Sequence, residues 1–226
     1  MDIFRKCREF DRADKVKALG LYPYFVPLSG HVGAEMLMQG RKVIMLGSNN
    51  YLGLTDHPLV MEKACDAIRK YGTGCTGSRF LNGTLDIHLE LEENLASFLG
   101  KEACITFSTG FQANLGVIGT LADRGSVLFI DRKNHASIID GTRMGYARVV
   151  KYRHNDMDNL RHLLEANRDR CGLIITDGVF SMEGDLADIP ALASLAREFG
   201  ARLMVDDAHG VGAMGAHGRG TAEHLG

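Results

Sequence analysis

Residues 205–209 read Val-Asp-Asp-Ala-His, an apolar run that ends in two carboxylates, Asp206 and Asp207, followed closely by His209. Aspartate at the end of a strand often does no more than start a turn. A carboxylate held at the carboxyl edge of a sheet can also pair with a buried cation such as a protonated pyridine nitrogen, which keeps a heteroaromatic ring an electron sink for carbanion chemistry. Three other segments offer groups of the same kind. In Thr106-Phe-Ser-Thr-Gly-Phe-Gln-Ala-Asn114 an apolar run meets a Ser108-Thr109-Gly110 turn and then a helical pattern from Phe111. The N–H groups of such a helix start, with hydroxyls beside them, make an anion site; alternatively Ser108 or Thr109 is a plain helix cap. Asn134-His-Ala-Ser137 follows an apolar run ending at Asp131 and puts His135 at the same edge. An imidazole there is either a satisfied structural group or a stacking partner for an aromatic ligand. Asp177-Gly-Val-Phe-Ser-Met-Glu-Gly-Asp185 places Ser181 similarly, with turn chemistry as the alternative. Together, four strand ends each deliver a polar group suited to one phosphorylated heteroaromatic ligand.

These groups need an alternating scaffold to bring them to one edge, and the sequence supplies the pattern. Strands are expected at Val43–Leu46, Ala103–Phe107, Val127–Ile130, Arg148–Tyr152, Leu173–Thr176 and Leu203–Val205. Several are almost wholly apolar and β-branched, as in strands buried on both faces. Helical patterns lie between them: residues 59–71; Ile87, Leu91, Leu95 and Phe98 on one face; Ile189, Leu192, Leu195, Ala196 and Phe199 on another. Asn155 is expected to cap a helix whose first turn carries Asp156 and Asp158. The alternation predicts an α/β fold with a mainly parallel sheet, whose ligands bind beyond the carboxyl ends of the strands. Residues 1–42 read as an N-terminal arm, charged and helical at first and broken by Leu21-Tyr-Pro-Tyr-Phe-Val-Pro27; residues 43–226 read as the ligand-binding domain.

Composition narrows the field. Apolar residues make up 45% and charged residues 24% of 226, and the net charge of -2 gives no basic footprint for nucleic acid. No run approaches a membrane span, and the first residues lack the apolar core of a signal peptide. Cys7, Cys65, Cys75, Cys104 and Cys171 are scattered, with no Cys-x-x-Cys pair. They read as reduced thiols of a cytoplasmic protein with no zinc site. Gly72–Gly77 and Gly210–Gly215 both match G-x-G-x-x-G, but neither sits between a strand and a helix as a dinucleotide site requires. The first follows a helical pattern, and the second has Asp206 and Asp207 where they would repel a pyrophosphate.

Taken in order, these segments resemble the α-oxoamine synthases of the fold-type I pyridoxal 5'-phosphate (PLP) enzymes. Further matching signatures are Gly47-Ser-Asn-Asn-Tyr-Leu-Gly-Leu54, Tyr71-Gly-Thr-Gly-Cys-Thr-Gly-Ser-Arg79, Gly83, His88 and Leu91-Glu92. Within the family, Gly77–His88, Leu21–Phe25 and Asp177–Asp185 are most similar to the bacterial serine palmitoyltransferase branch; 8-amino-7-oxononanoate synthase and 2-amino-3-ketobutyrate CoA ligase are the neighbouring branches. The resemblance implies a fold-type I large domain and the cofactor PLP. It implies a decarboxylating condensation of an L-amino acid, serine in that branch, with an acyl-CoA. By position, it implies that Asp206 pairs with the pyridine nitrogen and that His209, with Ser181 nearby, meets the phenolic oxygen. His135 would stack on the ring and orient the amino acid, and Gly110 and Phe111 beside Ser108 and Thr109 would hold the phosphate. Asn49, Tyr51, Gly74, Ser78 and Arg79 would lie near substrate and a homodimer interface.

The chain departs from the family in one respect. The family's Schiff-base lysine lies beyond the Asp-x-Ala-His segment, whereas the last lysine here is Lys151. The chain as given is therefore expected to be inactive, a fragment whose sheet is incomplete at the C-terminal side. A non-catalytic partner subunit is the competing expectation.

Overall fold

The computed structural model describes residues 2–30 and 33–226; Met1, His31 and Val32, within the expected arm, lie outside the described residues. The chain divides into two compact units, 1–72 and 73–226.

In the first unit, two short helices, α1 (Arg5–Arg8) and α2 (Arg12–Ala18), precede three strands, β1 (Leu28–Ser29), β2 (Glu35–Met38) and β3 (Arg41–Ile44). The strands form an antiparallel sheet in the order β1-β2-β3. Met38 pairs with Arg41, so the β2–β3 loop is only Gln39-Gly40, and both residues have positive φ, 51° and 76°. That is the mirror-image turn whose twist matches a hairpin. The strand expected at 43–46 is thus displaced to 41–44 and belongs to this hairpin rather than to the parallel sheet. Helix α3 (Pro58–Tyr71) begins with proline at its first position and stops at Gly72, φ 77°.

The second unit carries the α/β architecture. Its elements are α4 (Asp86–Leu99), α5 (Gly110–Leu121), β4 (Ser126–Asp131), α6 (Ala136–Thr142), β5 (Arg148–Tyr152), α7 (Met157–Glu165), β6 (Cys171–Asp177), α8 (Ile189–Phe199), β7 (Arg202–Asp206) and α9 (Thr221–Leu225). The four strands are all parallel, in the order β5-β4-β6-β7. The chain steps from β4 outward to β5 and returns across it to β6. The strand order therefore reverses between β4 and β6, the place where open α/β sheets bind ligands.

Alternation along the strands splits the core into two layers. Val127, Phe129, Tyr152 and Ile174 face Leu160 and Leu164 of α7 and Leu192, Leu195 and Ala196 of α8. Leu128, Ile130 and Ile175 face Ile118 of α5 and Ile138 of α6. Both faces of β4 and β6 are covered, which is why those strands carry no polar alternation in sequence. Of the expected α8 face, Ile189, Leu192, Leu195 and Ala196 are buried and Phe199 packs half-buried against them.

Three further expectations differ from the structure. Residues 103–107 pair with no strand among the described residues; side chains hold them instead. The expected apolar face of α4 stays open, with Ile87 36%, Leu91 47% and Phe98 40% exposed. The cap of α7 is Asp156, whose carboxylate accepts from the Asn159 N–H at 2.8 Å. Asn155 precedes it at φ 52°, in a left-handed turn that asparagine tolerates, and its amide ties the chain to the Leu186 carbonyl and the Asp188 N–H.

Candidate functional site

Each loop at the carboxyl edge of β4, β6 and β7, together with the start of α5, contributes a polar side chain. The start of α5 is set by Thr109, whose hydroxyl accepts from the Gln112 N–H at 3.1 Å. The N–H groups of Gly110 and Phe111 have no hydrogen-bond partner among the described residues. A Cβ added at Gly110 would meet nothing within 4 Å, so a ligand can approach this helix end. Ser108 is exposed beside it. Two open N–H groups at the positive end of a 12-residue helix suit an anion.

After β4, Asn134 and His135 turn back toward β6. The Asp177 carboxylate accepts from the Asn134 amide at 2.9 Å and from the His135 N–H at 3.0 Å. This stitches the two strand ends across the point of reversed order. Burial pushes the Asp177 carboxyl above its ordinary range and the Asp206 charge adds to that, against the pull of the His135 and Asn134 donors. His135 caps α6 with its own ring: Nδ1 accepts from the Ser137 N–H at 3.2 Å and lies 2.7 Å from the Ser137 hydroxyl.

At the end of β7, Asp206 and Asp207 diverge. Asp206 accepts from the Asn114 amide at 2.7 Å and from the Ala208 N–H at 3.2 Å. Asp207 accepts from the Thr221 N–H and hydroxyl, each at 2.8 Å, and so anchors α9. Gly178 and Gly220 leave room for it, because a Cβ at either would overlap an Asp207 oxygen. Adjacent carboxylates thus do different work: Asp207 closes the Gly210–Gly220 loop and Asp206 stays with the groups at the strand ends. His209 is half-buried one turn further on. Ser181 is exposed in the loop 178–187, which closes on itself through the Val179–Leu186 bridge.

The far side of that loop is held by charge. His154, at the end of β5, meets Asp131 at 2.9 Å through Nδ1 and Asp185 at 2.7 Å through Nε2. Burial opposes the imidazolium, but Asp185 and Asp131 together outweigh it and raise the His154 pKa. The ring packs edge-on against Phe180, centroids 4.5 Å apart.

The residues expected near substrate fall into both units. In the first, the Tyr51 hydroxyl donates to the Asn49 side-chain carbonyl at 3.3 Å. In the second, Gly74, Ser78 and Arg79 belong to the loop 73–85. Arg79 forms a two-pronged pair with Glu92, at 2.9 and 3.0 Å, and a 3.0 Å bond to the Thr106 hydroxyl. Glu92 also accepts from the Thr106 N–H at 2.8 Å. The Arg79 hydrogen bond and the two from Thr106 hold its carboxyl at about 2, well below the carboxylate range. Arg79 is thereby committed to pinning its loop and residues 103–107 to α4. Gly83 is required in that loop because a Cβ would overlap the Gly77 carbonyl. Arg79, Phe80, Glu92, Ile105, Thr106 and Phe107 border a cavity of about 810 Å³.

Asn114, Asn134, Ser137 and Asp177 escaped the sequence reading as functional groups. All four lie inside the motif segments, but single buried amides and hydroxyls have no spacing signature of their own.

The Aminotransferase class I and II family matches residues 41–224. Serine palmitoyltransferase of Sphingobacterium spiritivorum is 53% identical over 218 residues, 96% of this chain and 55% of that protein. 8-Amino-7-oxononanoate synthase of Geotalea daltonii is 48% identical over 218 residues, 96% of this chain and 56% of that protein. A solved serine palmitoyltransferase from S. paucimobilis, with a bound PLP–myriocin aldimine, superposes with a TM-score of 0.95 at 36% identity, covering 100% of this chain and 58% of that one. The chain thus spans little more than half the length of the relatives it matches. Parallel strands in reversed order, the motif segments on their carboxyl edge and these similarities lead to one conclusion: the chain belongs to the aminotransferase class I and II family, in its α-oxoamine synthase branch, with the fold-type I architecture.

Proposed function

We propose that the full-length protein is a PLP-dependent acyl-CoA:amino acid C-acyltransferase, a serine palmitoyltransferase that condenses L-serine with palmitoyl-CoA to 3-ketosphinganine, with loss of carbon dioxide and CoA. The observation that carries the reading is the meeting, at one sheet edge, of a carboxylate with fixed donors (Asp206), an imidazole of fixed orientation (His135) and an open helix N-terminus (Gly110 and Phe111). Two serine palmitoyltransferases, 53% and 50% identical to this chain, support serine as the amino acid.

The residues fit PLP. The Gly110 and Phe111 N–H groups, with Ser108 and Thr109 beside them, would bind its phosphate. Asp206 would accept the proton-bearing pyridine nitrogen, and His209 and Ser181 would lie toward the phenolic oxygen. When bound, PLP supplies the electron sink for a carbanion at the amino-acid α-carbon. His135 would cover the ring and exclude water from one side, and would hold the substrate carboxylate. In this reading residues 43–226 are the cofactor domain and 1–42 an arm, and Asn49, Tyr51, Gly74 and Ser78 lie near a homodimer interface. No helix among the described residues is long and apolar enough to cross a membrane, and Cys7, Cys65, Cys75 and Cys104 are free thiols. We place the enzyme in the cytoplasm on its scattered cysteines, which carry no Cys-x-x-Cys pair, and at the entry to sphingolipid synthesis.

The test is turnover by the purified full-length protein with each pairing of L-serine, L-alanine or glycine with palmitoyl-, pimeloyl- or acetyl-CoA. The reading expects CoA release with serine and palmitoyl-CoA at least about tenfold above every other pair. A preference for alanine with pimeloyl-CoA would instead make it an 8-amino-7-oxononanoate synthase, the reading that relatives such as the Geotalea daltonii enzyme favour. Absence of PLP binding and of any turnover would leave a non-catalytic partner subunit.

A further inference from the structure

Asn114 lies near the open end of α5 and is only 5% exposed. A polar side chain this deep needs partners, and Asn114 has two. Its Nδ2 is 2.7 Å from Asp206 Oδ2 and 2.8 Å from Ser137 Oγ. An amide nitrogen carries two hydrogens, so each partner receives one. The flipped amide would turn its oxygen against the Asp206 carboxylate, and charge alone therefore fixes the orientation. Since Ser137 Oγ accepts from Asn114, the hydroxyl proton is left for another acceptor. His135 Nδ1 is 2.7 Å away and also receives the Ser137 backbone N–H at 3.2 Å. A backbone N–H only donates, so Nδ1 must be the bare nitrogen of the ring and the imidazole proton sits on Nε2.

We propose that Asn114 is a positioning residue, the centre of a relay Asp206–Asn114–Ser137–His135 that sets the aim of the Asp206 carboxylate and, through the Ser137 hydroxyl and together with the Ser137 backbone N–H, holds His135 in its Nε2–H tautomer. The proposal rests on the reading that Asp206 and His135 face PLP. It adds a direction to every hydrogen bond between them. It also joins three elements, β7, α5 and α6, whose residues are up to 92 positions apart in sequence. A bare Nδ1 leaves His135 a donor at Nε2, which suits the carboxylate of an amino-acid substrate and not a cationic group. Fixing both groups through one amide removes the reorganisation that each would otherwise need when a ligand arrives.

The experiment uses the full-length protein with histidine labelled at its ring nitrogens, as wild type, Asn114→Ala, Asn114→Leu and Asp206→Ala. In the PLP-free wild type, nitrogen NMR should give a bare-type signal for His135 Nδ1 and a protonated-type signal for Nε2. In Asn114→Leu the Ser137 hydroxyl loses the donor that turns its proton toward Nδ1, while the Ser137 backbone N–H still holds that nitrogen bare, so the Nδ1 signal should shift but stay bare-type and Nε2 should keep its protonated-type signal. Titration with PLP, read by its visible absorption, should show Asn114→Ala weakened about tenfold, the loss expected when a charge-assisted bond is removed. A protonated-type signal on Nδ1 of the wild type overturns the relay. So does wild-type PLP affinity in Asn114→Ala when Asp206→Ala has lost it. If Asp206→Ala also binds PLP normally, the cofactor reading of Asp206 is what fails, and the tautomer measurement decides the relay by itself. Thermal melts check folding; should Asn114→Ala not fold, Asn114→Leu, which keeps the side-chain volume and removes only the polar bonds, carries both readouts.

Discussion

Glu92 shows at the scale of one residue how a motif position can be structural. Its carboxylate accepts from Arg79 and twice from Thr106, which lowers its pKa to about 2. A carboxyl whose folded pKa is depressed contributes stability above its unfolded value, and loses it as pH falls through the folded one. Glu92→Gln in the full-length protein should therefore lower the melting temperature at neutral pH by roughly a few degrees. That deficit should shrink as pH falls from the ordinary carboxylate range toward 2. A deficit that is constant with pH would mean that shape, not charge, holds the loop. The same residues mark what is legible in sequence. Asp206, His135 and Thr109 stand out because an apolar run stops at a polar group, and that break is visible in one dimension. Asn114 is invisible there. Its importance comes from two partners contributed by distant segments, and nothing in its neighbours in sequence announces them.

At the scale of elements, parallel strands read well because burial on both faces leaves an unmistakable apolar run; β5 was read to the residue, and β4, β6 and β7 within one or two. The misreadings have physical causes. Residues 103–107 have strand composition, but a strand is defined by a partner, and the side chains of Glu92 and Arg79 take that place among the described residues. Asn155 has a capping side chain, yet its left-handed backbone spends that side chain on the loop after β6. That loop carries Ser181 and is the element most open to control by pH. His154 binds Asp131 and Asp185 at once only when both ring nitrogens carry protons. Its raised pKa means that the charged latch is complete below the unfolded histidine value and is lost as pH rises through the folded one. Asp185 is shifted down, first by its hydrogen bond from His154. Its contribution disappears only on the acid side, as pH falls through its depressed value. The latch should hold best between these limits. Hydrogen exchange of the 178–188 amides, corrected for intrinsic rates, should accelerate as pH rises through the histidine range. In His154→Gln it should be fast throughout and flat. Equal protection in both proteins across that range would show that the Val179–Leu186 bridge and the buried Phe180 suffice to hold the loop.

At the scale of the molecule, the parallel sheet and its edge chemistry were legible because they depend on local runs. What covers the remaining apolar surface was not, because it depends on partners. Phe80 is 93%, Leu81 79% and Ile105 70% exposed, and Phe80 and Ile105 border the same 810 Å³ cavity. Large apolar side chains grouped in this way are characteristic of surfaces that another chain covers. The loop that bears Phe80 and Leu81 is held rigidly from behind by Arg79, Glu92 and Gly83, so the two side chains are presented rather than merely loose. The proposed homodimer offers an occupant: a second copy whose own loop 73–85 packs there. Phe80→Asp should then place a charge where the partner's apolar surface would have to desolvate it, a penalty of several kcal/mol. In light scattering and sedimentation, full-length wild type should behave as a dimer and Phe80→Asp as a monomer, with unchanged secondary structure. A Phe80→Asp protein that stays dimeric would assign the cover of this patch to the protein's own longer chain, since relatives extend well beyond the span matched here. The two outcomes also differ in their heat stability. A dimer held by this patch makes the melting temperature of the wild type depend on protein concentration and that of the monomeric Phe80→Asp independent of it, whereas disturbing an internal contact lowers the melting temperature equally at every concentration.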